Sequence, residues 1–203
     1  MSEVIWAVPA DDAAVVEKLA EVLATPGATI AVPGGSTPAP ILRALAKRSI
    51  DWPQVTITLS DDREVPHDHV ASNFGALVRA LVGTGATLIP LEAGAVPPRL
   101  DLCWVGMGAD GHVASIFPNV DLPVDNPPAV VKTLPDPLPP EAPFPRVTLN
   151  YAALANGGEL ILVVRGEEKR AILQRAIAGD SDLPIARLLA AAKGPVTIYW
   201  SPQ

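Results

Sequence analysis

The chain has 203 residues, 49% hydrophobic, 18% charged and 4% aromatic, a balance that suits one globular domain and excludes a disordered or fibrous polymer. Its 15 Lys and Arg against 22 Asp and Glu leave a formal charge of −7, which disfavours nucleic acid and anionic membranes as partners while allowing a local pocket that captures a small anion. The lone cysteine, Cys103, has no partner for an internal disulfide, and the opening MSEVIWAVPADD has neither a basic leader nor a long apolar run, so the chain reads as cytoplasmic with no membrane span.

From the N-terminus, short aliphatic or β-branched runs alternate with longer Ala/Leu-rich amphipathic stretches, the pattern of parallel βαβ units. A strand over 5–8 comes first. Asp11 or Asp12 then caps a helix that runs to about residue 24, with Val15, Val16, Leu19, Val22 and Leu23 at helical period and Pro26-Gly27 as its stop. A strand over 29–32 leads into Pro33-Gly34-Gly35-Ser36-Thr37 and a helix over 38–46. Pro38 suits the first helical position, which makes Thr37 or Ser36 the expected N-cap. Gly34 and Gly35 let the backbone turn tightly with its N–H groups exposed, and the helix start adds partial positive charge; the segment reads either as a phosphate cradle or as an ordinary capped turn. A strand over 55–59 ends in Ser60-Asp61-Asp62-Arg63-Glu64, a charged segment that is either a solvated turn or part of a site. His67 and His69 flank Asp68 without a further ligand cluster, so no metal site is expected. Ser72-Asn73 opens a helix over 73–81, and a strand over 88–90 follows.

The next strand, 102–105, holds Cys103 as a small core residue. It runs into Gly106-Met107-Gly108-Ala109-Asp110-Gly111-His112, where three glycines in six residues permit backbone shapes closed to other residues. An imidazole at the end of so constrained a loop is placed for proton transfer near neutral pH. Between 123 and 145 prolines stand at 123, 127, 128, 135, 137, 139, 140, 143 and 145, which dictates an extended surface connection with at most one edge strand, over 130–134. A strand over 160–164, helices over 167–177 and 185–192, and a strand over 196–200 complete the chain. Arg146 and Lys169 are surface cations on their own, and with the Gly-Gly-Ser-Thr loop they are candidates to close on a phosphate from several sides.

The runs PGGSTPAPILRAL, SDDREVP followed by SN, VGMGADGHVASIFP, RVTLN and GEEKRAIL occur in the order seen in the 6-phosphogluconolactonases, and the chain resembles that family within the sugar-phosphate lactonase and glucosamine-6-phosphate deaminase superfamily over nearly its whole length. The resemblance implies a three-layer α/β/α fold with a mostly parallel open sheet in a single domain over 1–203. It implies hydrolysis of 6-phospho-D-glucono-1,5-lactone, a step of pentose phosphate metabolism, by a water that His112 activates. The same residues leave open which of Asp110 and Asp61 orients His112 and which meets sugar hydroxyls. Gly34, Gly35, Ser36, Thr37, Arg63, Arg146 and Lys169 are the expected phosphate and substrate contacts, with no cofactor, no nucleic acid and no membrane partner, in a monomer or small homo-oligomer.

Two departures from the family pattern stand out: Asp62 replaces the usual glutamate, and the stretch between Asn73 and Asp101 is short. Ser115 and Ser36 lie outside any Gly-x-Ser-x-Gly elbow, which disfavours a serine nucleophile. The rivals are a glucosamine-6-phosphate deaminase or isomerase, which by resemblance carries an acidic residue where this chain has Phe117, and a non-catalytic sugar-phosphate sensor, for which His112 would be superfluous.

Overall fold

The aliphatic runs lie side by side in one sheet, and its central strands are buried on both faces. A computed structural model describes residues 2–140 and 142–202. The strands are β1 (Val4–Trp6), β2 (Thr29–Val32), β3 (Thr56–Leu59), β4 (Asp61–Arg63), β5 (Thr87–Ile89), β6 (Leu102–Val105), β7 (Val130–Thr133), β8 (Arg146–Leu149), β9 (Glu159–Arg165) and β10 (Val196–Ser201). Seven of them form one sheet in the order β1-β10-β9-β6-β2-β3-β5, with every pairing parallel. The helices α1 (Asp12–Leu23), α2 (Pro38–Leu45) and α3 (Asn73–Ala80) cover one face, and α4 (Tyr151–Ala155), α5 (Glu167–Ala178) and α6 (Pro184–Ala191) cover the other. In β6, Leu102 and Trp104 pack toward the first group while Cys103 and Val105 pack toward the second, and β9 alternates in the same way. Two-sided burial explains why these strands read as continuous apolar runs rather than as alternating ones. The result is the expected three-layer α/β/α domain.

Local chemistry sets the helix ends. The Asp11 carboxylate accepts from the Ala14 N–H at 2.8 Å, the Ser72 hydroxyl accepts from the Gly75 N–H at 3.0 Å, and Gly179 ends α5 at a left-handed φ of 80°. On the inner face of α1, Leu19 and Leu23 are buried, each contributing about 1.5–3 kcal/mol by leaving water. No helix among the described residues is long and apolar enough to cross a membrane.

Three features differ from expectation. The charged segment after β3 is strand β4, which pairs antiparallel with β8, and β8 pairs with β7 in a separate three-stranded sheet. The strand expected over 130–134 therefore edges this small sheet and not the large one. A short helix, α4, follows β8 with Asn150 as its cap, its side chain accepting from the Ala153 N–H at 2.9 Å. Finally, Thr37 is helical in conformation and its side chain makes no capping bond.

The topology locates the cleft. From β2 the chain moves through β3 to β5 on one side, then returns to place β6 on the other side of β2. The carboxyl ends of β2 and β6 thus diverge into loops that part from each other, which is where open α/β sheets bind ligands.

Candidate active site

Two adjoining chambers open at this point. One, of about 200 Å³, is lined by Pro33 to Pro38, Gly106, Met107 and Lys169 among others. Its neighbour, of about 280 Å³, is lined by Asp61, Arg63, Asn73, Gly108, His112 and Ala114, and it shares Pro33, Gly34, Gly106, Met107 and Lys169 with the first. Among the described residues, the backbone N–H groups of Gly34, Gly35, Ser36 and Thr37 meet no protein acceptor. The missing side-chain cap leaves the start of α2 open as well. Lys169, in the first turn of α5, is half-buried on the rim common to both chambers and makes no ion pair among the described residues. A set of unsatisfied donors and a free ammonium around one chamber has the chemistry to hold an anion.

The second chamber carries the titratable groups. The His112 Nδ1 lies 2.7 Å from Asp110 Oδ1, and the His112 backbone N–H donates to the same oxygen at 3.1 Å. The imidazole is 31% exposed, enough to reach a bound molecule. The bond to His112 holds the Asp110 carboxyl below the usual carboxylate range, with partial burial acting against it. A neutral ring whose Nδ1 donates to Asp110 keeps its lone pair on Nε2. The Phe117 ring packs on His112 with centroids 4.6 Å apart. Gly108 is required by close approach: a Cβ there would lie 2.2 Å from His112 Nδ1.

On the facing wall, the buried Asp61 carboxylate accepts from the Ser60 hydroxyl at 3.1 Å and from the Ser115 hydroxyl at 2.6 Å. Asp62 does different work. Its oxygens accept from the N–H groups of Arg63, Asn73 and Phe74 at 2.7, 2.6 and 2.9 Å, clamping the start of α3 to β4. Arg63 donates from Nη1 to the Ala71 carbonyl at 2.8 Å and to Asn73 Oδ1 at 3.0 Å, which leaves its other N–H groups without a protein acceptor among the described residues. Asn73, read from the sequence only as part of a cap, donates to the Asp61 carbonyl at 3.0 Å and fills the space beside Gly34, where a Cβ would stand 2.0 Å from its side chain.

The structure therefore gathers Gly34, Gly35, Ser36, Thr37, Lys169, Arg63, Asp61 and His112 around one cleft, with Asp110 behind His112. It does not bring Arg146 there. Arg146 is 3% exposed, and its guanidinium donates to the Ala142 carbonyl at 2.8 Å and to the Phe144 carbonyl. It lines neither chamber. Burial, reinforced by the like charge of Arg63 opposite it in the small sheet, pushes its pKa below the ordinary value. The expected clamp of Arg146, Lys169 and the Gly-Gly-Ser-Thr loop is thus one cation short, because the proline-rich segment returns its own carbonyls to Arg146. His67 packs on Phe74, while His69 packs on Phe144 and accepts from the Ala71 N–H at 3.0 Å. Among the described residues no group of three or more His, Cys, Asp or Glu is placed to hold a metal ion.

Comparison with known proteins connects this cleft to a family. The model of the glucosamine-6-phosphate isomerases/6-phosphogluconolactonase family matches residues 8–96 and 86–200. The 6-phosphogluconolactonase of Rhizobium meliloti (strain 1021) is 34% identical over 212 residues, spanning 91% of this chain and 90% of that protein. That of Pseudomonas putida is 35% identical, spanning 93% of this chain and 86% of that protein. The crystal structure of a 6-phosphogluconolactonase from Shewanella baltica OS155 superposes with a TM-score of 0.79 at 29% identity, covering 99% of this chain and 98% of that one. A monomeric glucosamine-6-phosphate deaminase superposes with a TM-score of 0.78 at 14% identity, a likeness of fold alone. With its match running through both halves of the molecule and its glycine-framed histidine set on the same cleft as the glycine-rich cradle, the chain belongs to the glucosamine-6-phosphate isomerase/6-phosphogluconolactonase family.

Proposed function

We propose that the protein hydrolyses 6-phospho-D-glucono-1,5-lactone to 6-phosphogluconate. The observation that carries this reading is the adjacency of a donor-lined chamber with a free ammonium to a chamber holding an Asp-supported imidazole, the two sharing Gly34, Gly106 and Lys169. The phosphate binds the N–H groups of residues 34–37 and Lys169, which sets the lactone ring in the second chamber. His112 Nε2 takes a proton from a water as that water attacks C1, and the tetrahedral oxyanion forms. Collapse breaks the bond from C1 to the ring oxygen, which receives the proton from the imidazolium. Asp110 keeps the ring in the Nδ1–H form and stabilises the transient imidazolium. Arg63, lining the same chamber with N–H groups to spare, supports the oxyanion. Asp61, which does not touch His112, is left to accept from sugar hydroxyls.

At position 117 the deaminase reading calls for a carboxylate, and a phenyl ring stacks on His112 there instead. Ser115, 1% exposed and bonded to Asp61, is not presented as a nucleophile. The test compares freshly generated phosphorylated lactone with unphosphorylated gluconolactone against enzyme-free controls, since both open spontaneously. Catalysis should favour the phosphorylated substrate by 10-fold or more, about what one charged hydrogen bond supplies. No acceleration of the phosphorylated lactone above its spontaneous rate excludes the reading.

A further inference from the structure

The mechanism leaves Ser115 unused, yet its hydroxyl, N–H and carbonyl are all hydrogen-bonded. Each of its polar groups is held by a different strand of the small sheet. The hydroxyl donates to Asp61 of β4 at 2.6 Å, the N–H donates to Thr148 Oγ1 of β8 at 3.2 Å, and the carbonyl accepts from Thr133 Oγ1 of β7 at 2.7 Å. Ser115, Thr133 and Thr148 are all buried. The turn that delivers Ser115 is itself unusual: Val113 and Ile116 bridge, and Ala114 between them adopts a φ of 49°, which side chains other than glycine rarely accept. Strain held beside a site has to be offset by surrounding bonds, and those three contacts supply them. The same turn follows His112 directly, so one loop supplies His112 to one wall of the chamber and a hydroxyl to the carboxylate on the other.

We propose that Ser115 is a positioning residue that acts through Asp61. A carboxylate has about four lone-pair sites. Ser60 and Ser115 each occupy one, on different oxygens, which fixes the carboxylate plane and leaves the remaining sites to a substrate hydroxyl. Without the Ser115 hydroxyl, one buried oxygen loses its donor and the carboxylate is free to turn about its last bond. Ring hydroxyls then meet a mobile acceptor. This inference rests on the lactonase reading and on the role given there to Asp61.

The experiment is a double-mutant cycle on the full chain, read by KM and kcat for the phosphorylated lactone. Ser115→Ala should raise KM and lower kcat/KM by about 10- to 100-fold, the range for a group displaced by up to 1 Å. In an Asp61→Ala background the same substitution should change kcat/KM by less than about threefold, while still lowering Tm. Where Asp61→Ala does not fold, Asp61→Leu, close in shape and without an acceptor, takes its place. Ser115→Cys, nearly the same shape with a weaker donor, should fall between wild type and Ser115→Ala. The acid limb of the pH profile should not move in any Ser115 variant, because His112 and Asp110 are untouched. Equal losses from Ser115→Ala in both backgrounds overturn the proposal, since they place its effect in the loop and not in Asp61. A wild-type protein inactive on the lactone overturns the lactonase reading itself, and with it the role of Asp61.

Discussion

Replacing Gly108 by alanine places a methyl group where the Asp110–His112 pair lies. The new Cβ would stand 2.2 Å from His112 Nδ1, 2.3 Å from its Cε1 and 2.5 Å from Asp110 Oδ1, whereas ordinary contact begins at 3.4 Å. The imidazole must therefore give way by roughly 1 Å, and Phe117 on its face limits the directions open to it; misplacement on that scale costs about 100-fold, or about 2.7 kcal/mol of barrier. Gly108 does not occupy the left-handed region, so alanine brings no backbone strain to confuse the result. Its N–H bond to the His112 carbonyl, at 3.0 Å, is kept. Acid release from the phosphorylated lactone should show kcat down by about 100-fold, while calorimetric titration with 6-phosphogluconate should show Kd within about threefold of wild type, because the cradle is in the other chamber. Activity within about threefold of wild type, in a variant with unchanged Tm, refutes the placement of His112 as the base.

Lys169→Ala should weaken 6-phosphogluconate by about 1.5–3 kcal/mol, roughly 10- to 150-fold in Kd, and leave unphosphorylated gluconolactone hydrolysis unchanged; equal losses on both would show the ammonium to be structural. Arg146→Ala should behave oppositely: two loop carbonyls lose their donor, so Tm falls while the Kd for 6-phosphogluconate stays near wild type, and a selective loss of affinity would return Arg146 to the clamp. The depressed Asp110 pKa makes its bond to His112 a stabilising contact that is complete above the ordinary carboxylate range and lost as pH falls through the lowered value. Urea titrations of wild type and Asp110→Asn between neutral and acid pH should therefore converge at the acid end, and parallel curves would contradict the assignment.

What was legible in the sequence follows from how locally each feature is determined. The central parallel strands, such as β6 and β9, show as aliphatic runs because both faces are buried, and the loops at the carboxyl ends of β2 and β6 are marked by the glycines at 34, 35, 106, 108 and 111. Asp61-Asp62-Arg63 has the composition of a turn, and only pairing with β8, where Asp61 sits opposite Thr148, makes it a strand. The five residues of α4 are too few for helical periodicity to show. Arg146 looks like any cation in the sequence, because what occupies it is carbonyls presented by tertiary structure. Asn73 was visible as a helix-start residue, while its fit beside Gly34 and its bond to Arg63 depend on how α3 meets β2. The choice between Asp110 and Asp61, open in the sequence, becomes a matter of distance: Asp110 touches the imidazole and Asp61 does not.

In the proposed reaction His112 activates the attacking water, and His112→Asn isolates that role. Asparagine approximates the volume and keeps a hydrogen-bonding group but has no titratable nitrogen. On freshly generated 6-phospho-D-glucono-1,5-lactone, with the spontaneous rate subtracted, the variant should lose at least about 100-fold in kcat, retain its affinity for 6-phosphogluconate and lack the acid limb of the wild-type pH profile. A variant that keeps kcat within about threefold of wild type, with the acid limb intact, would show that His112 is not the base.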